Sequence, residues 1–555
     1  MIKIKFLILW LLLMLYPLKA QIVYEPLDND VYPFLERLSN KGIIELDDLI
    51  KPLSKKYISE KLVEARTKME MLTNLEKDEL EFFEKNYFLE TSSFSKENID
   101  KKFLSYFEGD EVERYRFFSY ADNTFKLIAN PIFGFNLIYP EKERIFRTWM
   151  GISTYGYLLD KIGISFYFKT NNEKGSNLDI KRDFTPETGI IPEISDYGRD
   201  IAYTDVRSSI SADWGWGNVV IAKDFIEYGY AKFGNLVLSN KAPSFPFIRL
   251  DIKPVDWFSF KYFHAWLSSN IIDSVNLAAY NRNIYRDKYL AWHSLTITPL
   301  RGLDISIGES VVYSDELEIL YLMPIMFYYL ADEYISNRIN KPGDANQQIF
   351  ITLSSKDHLS NTHFYGTLFI DELTIGGING SLFINTSYGG ATSKRQRTQL
   401  GYTLGSSVND FPIDNLTFST EYTRINPFVY GHHDPAQTYT NSSYLMGHWM
   451  GHNSDLIYVD LTYRFIRGLQ ANIWGAYIRK GSGDYSGQYK QPEPDFLFGL
   501  RNNYKYFGLN LKYELLHELN IESRFKSTNI SSEQNDGSFN DKQIKEFSFS
   551  IYYGF

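Results

Sequence analysis

Polar and aromatic side chains crowd one segment of the chain, between residues 424 and 455. Planar hydrogen-bonding groups such as arginine, asparagine and aspartate pair with vicinal hydroxyls, and an aromatic ring stacks on the apolar face of a sugar. The composition of this segment therefore favours a carbohydrate-binding loop. Its candidate contact residues are Arg424, Tyr430, His432, His448, Asn453 and Asp455.

A second set of similar residues lies between 213 and 239, where glycines permit sharp turns and close backbone approach. Its candidates are Trp214, Trp216, Asp224, Tyr228 and Asn235. An alternative interpretation applies to both sets: the side chains fill a polar interior and stiffen loops without contacting any ligand. The sequence leaves both interpretations open.

Metal and enzyme sites find little support in the motifs. His448 and His452 have helical i, i+4 spacing and Asp455 follows, but the segment contains glycine and lacks the glutamate of an HExxH motif. The sequence contains no GxSxG elbow, no GxxxxGK[ST] loop and no GxGxxG in a strand-to-helix setting. Glycoside hydrolysis needs a pair of carboxylates at a defined distance. The 68 acidic residues offer many pairs, and only their geometry would identify a catalytic one. We predict no metal, no cofactor and no enzymatic activity.

The composition excludes several classes of protein. The 555 residues include no cysteine, which rules out disulfides, thiolate zinc sites and a lipid-anchored lipoprotein. The net charge of -10 argues against nucleic acid as a partner, because such binding depends on clustered lysine and arginine. Aromatic residues make up 17% of the chain, as is typical of strands and membrane interfaces.

The first twenty residues predict an export signal. Lys3 and Lys5 precede an apolar run at 6–15, and Ala20 provides a small residue for cleavage. Removing 1–20 changes the net charge to -13, because three lysines and no acid are lost. The longest later apolar run, 319–331, is shorter than the roughly 20 residues that a spanning helix needs.

Residues 31–89 have the apolar spacing of about three short helices. We expect Ser54 and Asn74 to be N-caps and Gly42 to end the first helix. The predicted domain at 21–105 is a periplasmic helical bundle with a linker.

Beyond residue 106 the apolar period changes to two, in about eighteen to twenty runs. An open sheet of this size leaves two unpaired edges, whereas closure removes them. We therefore predict that 106–555 forms an antiparallel β-barrel of about eighteen strands in the outer membrane, surrounded by lipid. The expected long loops are 171–200, 313–347 and 426–455, with a short helix at 317–335 folded into the mouth or lumen.

The last strand alternates apolar residues at Phe547, Phe549, Ile551, Tyr553 and Phe555. This pattern is similar to the final strand of bacterial outer-membrane barrels, where it serves as the assembly signal. The similarity implies the barrel-assembly machinery as a partner.

Several segments in order resemble the capsule assembly protein Wzi family: VYPFLERLSNKGII at 31–44, KDFIEYG at 223–229, GNLVLSNKAP at 234–243, KYFH at 261–264, FYGTLFIDE at 364–372, EYTR at 421–424 and GHWMGHNSD at 447–455. The resemblance covers nearly the whole mature chain. It implies an outer-membrane barrel of about eighteen strands with a periplasmic helical bundle. It also implies a lectin that retains capsular polysaccharide on the cell surface. No ligand contact of the family is carried over to single residues.

Two functional hypotheses follow. The first is a lectin-like barrel that binds capsular or other surface polysaccharide without turning it over and supports capsule assembly. The alternative is a channel or transporter for sugars or other small solutes. The location of 317–335 discriminates between them, because an apolar helix inside the lumen opposes conduction and one outside permits it.

Deleting 544–555, or replacing Phe555 with a charged residue, should impair membrane insertion strongly, because the last strand must pair to close the barrel. Heat-modifiable migration on a gel reports insertion. Normal insertion after the deletion would contradict this role of the last strand.

Overall fold

The structure is a computed structural model that describes residues 22–91, 103–109, 115–122, 124–141, 143–159, 161–176, 178–195, 199–280, 282–339, 345–371, 399–488 and 494–554. The predicted signal peptide and Phe555 lie outside the described residues, as does the connection at 372–398.

A small helical bundle precedes the strands. Its helices are α1 (Val31–Asn40), α2 (Lys55–Arg66), α3 (Asn74–Asn86) and α4 (Phe88–Thr91). Ser54 caps α2 as predicted, since its side chain accepts a hydrogen bond from the amide of Tyr57. The predicted cap Asn74 is instead the first residue of α3. Thr73 takes the cap position because Glu76, three residues later, completes a capping box with it.

Eighteen antiparallel strands close into one barrel, which confirms the predicted fold class. Strand β18 pairs with β1 from Tyr553↔Phe133 to Glu546↔Pro140 and so closes the ring. The strands are β1 (Phe125–Pro140), β2 (Ile145–Leu158), β3 (Ile162–Gly175), β4 (Asp200–Asp213), β5 (Gly217–Asp224), β6 (Phe245–Val255), β7 (Phe258–Ile272), β8 (Tyr285–Leu300), β9 (Leu303–Ser314), β10 (Asn346–Lys356), β11 (Thr362–Asp371), β12 (Gln399–Asn409), β13 (Leu416–Ile425), β14 (Ser454–Ile466), β15 (Leu469–Gly481), β16 (Arg501–Leu516), β17 (Leu519–Glu533) and β18 (Phe539–Tyr553).

Smaller elements accompany the barrel. A hairpin of Phe103–Gly109 and Tyr115–Ala121 pairs with the beginning of β1. Helices α5 (Ser274–Tyr280) and α6 (Tyr328–Ile339) lie in connections between strands. The described residues include no helix long and apolar enough to cross a membrane.

The two ends of the barrel differ in the length of their connections. Short turns such as 301–302, 467–468 and 517–518 define the turn end, and connections such as 176–199, 225–244, 315–345 and 426–453 define the loop end. The bundle sits at the turn end, where Arg301 donates to the carbonyl of Gly42 at 2.9 Å and His517 contacts the carbonyl of Phe82 at 2.7 Å. Outer-membrane barrels show this same asymmetry of turns and loops.

Side chains alternate between the lumen and the outer wall along each strand. On β10 and β11, Phe350 and Tyr365 are buried inside, whereas Leu353 and Phe364 are exposed outside. Leu404, in the middle of β12, is 58% exposed on the same outer wall. These apolar residues form the surface that meets lipid.

The segment predicted to enter the mouth or lumen does neither. Residues 315–339 contain a 3₁₀ turn (Ile319–Leu322) and α6, and they pack against the outer wall of β8 and β9. A lipid-facing helix and a lumen-filling helix are both apolar, so the hydropathy of 317–335 does not distinguish the two positions.

Replacing Leu404 with arginine should destabilise the inserted barrel by about 2–4 kcal/mol if it lies near the bilayer midplane. The matched control is Ile413→Arg, because Ile413 is also exposed but lies in the turn between β12 and β13. Refolding into lipid vesicles at increasing urea measures the difference. Equal stability of the two variants would contradict the assignment of the outer wall.

Candidate functional site

The inner loop, residues 225–244 between β5 and β6, enters the lumen. The ring of Tyr228 packs against Trp292 of β8 and Phe350 of β10, with centroids 5.4 and 4.9 Å away. Further along, Phe233 stacks on Tyr458 of β14 at 4.6 Å. β14 lies four strands further around the ring than β10, and a segment that contacts β8, β10 and β14 in this way must lie inside the ring.

The inner loop runs far enough through the lumen to reach the helical bundle. Glu227–Tyr228 forms an antiparallel pair with Ile50–Lys51, which connects α1 to α2. The loop then turns back at Gly234, whose φ of +144° favours glycine. A Cβ atom there would lie 2.8 Å from Nε2 of His448, so the close approach also requires glycine.

An ion-pair cluster secures this contact. Glu36 of α1 accepts from Lys51 and from Lys232 of the inner loop, each at 2.5 Å. Burial opposes the charge on Glu36, but the two ammonium groups outweigh it and hold its pKa well below the ordinary range. The amide of Lys232 also donates to Oε2 of Glu421 on β13 at 2.8 Å. The inner loop is therefore joined to both the bundle and the wall.

The cover loop, residues 426–453 between β13 and β14, packs onto the inner loop from the loop end. Tyr430 donates its hydroxyl hydrogen to the carbonyl of Leu236 at 2.7 Å, and Tyr439 donates to that of Val237 at 2.9 Å. The indole nitrogen of Trp449 donates to the carbonyl of Phe233 at 2.6 Å. We call the inner and cover loops together the plug.

Six predicted site residues belong to the plug, and five of them are buried: Tyr228, Asn235, Tyr430, His448 and Asn453. Asn235 accepts from the amide of Ala231 at 3.1 Å, a bond within its own loop. Burial lowers the pKa of His448 to about 3, so its ring is neutral. Contact of these side chains with a polymer outside the cell would require the plug to open.

Three further candidates lie at the rim of the loop end, beside His432 and Asn453 of the cover loop. Arg424 on β13 faces Asp455 on β14, and Asp455 accepts from Arg479 at 2.9 and 2.5 Å. The Arg424 guanidinium lies 3.8 Å from the centroid of the Phe496 ring. Asn453 fixes the next loop by accepting from the amide of Leu497 at 2.7 Å. Asp224 and His432 are half-buried at the same end.

The last two candidates, Trp214 and Trp216, lie in the turn between β4 and β5 at the opposite end of the barrel. Their rings meet edge to face at 5.6 Å, and Trp216 is 49% exposed. The two predicted sets therefore do not form one site. They divide among the plug, the rim and the turn end.

Sequence reasoning missed the residues that hold the plug in place, above all Glu36, Lys232 and Glu421. Glu36 and Lys232 are 196 residues apart in the chain, and nothing in their spacing indicates a contact. The available signal was a single lysine between two glycines, Gly229 and Gly234, in a segment otherwise apolar or small.

His448 and His452, the pair considered as metal ligands, each accept a hydrogen bond from a backbone amide. Nδ1 of His448 accepts from the amide of Met450 at 3.3 Å, and Nδ1 of His452 accepts from the amide of Phe428 at 3.2 Å. Within the part of the chain that the structure describes, no three histidine or acidic residues cluster as metal ligands do.

Comparisons with known proteins support the fold. No protein-family model matches the sequence, and no curated protein matches it. Among solved structures, the chain is similar to Wzi of Escherichia coli with a TM-score of 0.55 and 13% identity, over 97% of this chain and 100% of that one. The chain has the Wzi fold. An identity this low shows the fold alone.

Two further solved structures match less well. OccK5 (OpdH) of Pseudomonas aeruginosa has a TM-score of 0.41 at 10% identity, over 77% of this chain and 97% of its own. OccAB4 of Acinetobacter baumannii has a TM-score of 0.42 at 11% identity, over the same shares. Scores this low carry no argument about function. The closed barrel and its Wzi fold place the protein in the outer membrane.

Replacing Glu36 with glutamine should loosen the inner loop, because Lys51 and Lys232 lose a partner whose charged hydrogen bonds are worth about 1.5–3 kcal/mol each. Hydrogen exchange at 227–238 should accelerate at pH 7. The matched control is Glu81→Gln, since Glu81 is an exposed residue of α3 whose lysine contact is 3.7 Å long.

The effect should depend on pH in a defined direction. The folded pKa of Glu36 is lowered, so its stabilisation is complete above the unfolded value of about 4.3 and is lost as the pH falls through the folded value. The difference in thermal stability between wild type and Glu36→Gln should therefore shrink only in acid. A difference that instead grew on acidification would contradict the assignment.

Proposed function

We propose that the protein binds capsular or other surface polysaccharide at the outer membrane, without turning it over, and supports capsule assembly. The fold likeness to Wzi supports this, since that protein is a carbohydrate-binding barrel involved in group 1 capsule assembly. In this proposal the loop end faces outward and the turn end with its bundle faces the periplasm, as in other outer-membrane barrels.

The plug is the observation that favours binding over transport. Buried apolar and aromatic side chains from both loops pack against one another and against the inner wall, among them Leu236, Val237, Tyr430, Tyr439 and Trp449. A solute channel requires an open path, whereas a protein that only holds a polymer benefits from a rigid surface. The location of 317–335 outside the barrel removes one obstacle to conduction, but the plug supplies another.

One observation favours the alternative of a channel for sugars or other small solutes. A polar cavity of about 320 Å³ lies between α1 and strands β12–β17. Amide and hydroxyl groups dominate part of its lining, including Asn40, Asn409, Thr462, Asn472 and Asn510. Such groups suit sugar hydroxyls, but a polar lumen is also the rule for these barrels.

Among the candidate residues, Arg424 and His432 at the rim are the proposed polysaccharide contacts. Both are half-buried, so part of each side chain is accessible. Stacking on Phe496 holds the guanidinium of Arg424 in one orientation, which lowers the entropic cost of binding a sugar. The buried candidates position the loops, and Asp224 remains a secondary contact.

The double variant Arg424→Ala/His432→Ala should weaken binding to the capsular polysaccharide of the producing bacterium by about tenfold or more, the equivalent of one hydrogen bond of about 1.5 kcal/mol. Surface plasmon resonance on purified barrel measures this. The control is Arg301→Ala, since Arg301 is exposed at the turn end. Equal affinities of wild type and the double variant would remove the rim from the proposal.

Planar-bilayer recordings separate binding from transport. The wild-type protein should show no large, steady current, and Trp449→Ala should conduct intermittently because it removes a ring packed against Phe184 and Phe233. The control is Trp257→Ala, since Trp257 is exposed in the turn between β6 and β7. Large single-channel currents from wild type would favour the alternative function.

A further inference from the structure

The outer wall of the barrel carries an ionisable pair. On β8, Leu290 and Trp292 face the lumen, so His293 points outward; its partner Glu309 on β9 has the same orientation. Nε2 of His293 lies 3.0 Å from Oε1 of Glu309. Two residues away on the same face of β9, Ile307 is 52% exposed in the apolar band. Polar groups at such a place are costly in lipid unless they are covered and hydrogen-bonded.

Residues 315–339, the outer arm, cover this pair. The amide of Tyr328 donates to Oε1 of Glu309 at 2.9 Å, and the Tyr328 ring lies 4.6 Å from that of His293. Nearer the loop end, the ring of Tyr321 packs on Tyr313 at 4.7 Å. The hydroxyl of Tyr262 on β7 donates to the carbonyl of Tyr321 at 3.2 Å. One side of the outer arm thus packs against the wall and is hydrogen-bonded to it.

The opposite side of the outer arm is exposed and largely apolar, with the exposed charges Glu333 and Arg338 in the helix at its end. Ile325 is 88% exposed. Other exposed side chains of this side are Ile319, Met323, Phe327, Leu330 and Tyr334. The arm is attached to the wall by Tyr321, Tyr328, Ala331 and Ile335, all buried. An apolar strip of this kind is unfavourable in water and typical of segments that lie in a membrane interface.

We propose that the outer arm is a membrane-embedded element whose exposed side contacts the acyl chains of the outer leaflet. The arm covers the wall that lipid would otherwise touch, beside the exposed Ile307 and Trp266 of the apolar band. The arm replaces a polar patch of the wall with an apolar one, and so keeps the lipid-facing surface continuous. This inference is independent of polysaccharide binding.

Site-directed spin labelling tests it cleanly, because the chain has no cysteine of its own. Nitroxide-labelled Ile325→Cys, in full-length protein reconstituted into phospholipid vesicles, is compared by power saturation with oxygen, which concentrates in lipid, and with a water-soluble nickel complex. Ile307→Cys is the lipid-facing control. Asn535→Cys, in the exposed turn between β17 and β18, is the aqueous control.

The expected oxygen-to-nickel accessibility ratio for Ile325→Cys equals that of Ile307→Cys and is several-fold above that of Asn535→Cys. Ile319→Cys provides an independent position if Ile325→Cys folds poorly. A ratio like that of Asn535→Cys at both positions would overturn the proposal. Shielding from both reagents together with spin–spin broadening would also overturn it, because a second copy of the chain would then cover the arm.

Discussion

The structure depends on one constraint: inside a bilayer, every backbone amide and carbonyl must find its hydrogen-bond partner within the protein. The pairing of β18 with β1 satisfies it by removing the two edges of the sheet. Closure then fixes the direction of every side chain, because residues of a strand alternate between the lumen and the lipid. Leu353 and Leu404 face outward for this reason, and Phe350 and Tyr365 face inward.

A ring of eighteen strands encloses more space than its own inward side chains can fill. The inner and cover loops fill the remaining space in the lumen. Tyrosine and tryptophan pack well there because each has a large apolar ring and one hydrogen-bonding group. In Tyr430, Tyr439 and Trp449 that group donates a hydrogen bond to a carbonyl of the inner loop. The same side chains that suggest a sugar platform thus serve as interior packing.

The sequence predicted most of the fold and little of the site. Periodicity, the Ser54 cap and the alternating last strand depend on neighbours along the chain, which sequence reasoning can use. The contact of Glu36 with Lys232 depends on a loop crossing the lumen, and it has no local signature. The outer arm was misplaced because its apolar side suits a lumen and a bilayer equally well. The Glu36–Lys232 contact and the position of the outer arm both depend on long-range topology and not on local residue chemistry.

The contact between inner loop and bundle has a mechanical consequence. In the proposed function, a polymer pulled away from the cell would load the loop end, and the inner loop would carry part of that tension along the barrel axis to Ile50–Lys51. That strand pair is two residues long, whereas wall ladders such as Asn502↔Ser532 to Leu516↔Leu519 run the height of the barrel. Under force, this strand pair would separate before the wall does, while ion pairs such as Arg37–Asp410 and Lys356–Asp48 would still hold the bundle to the barrel.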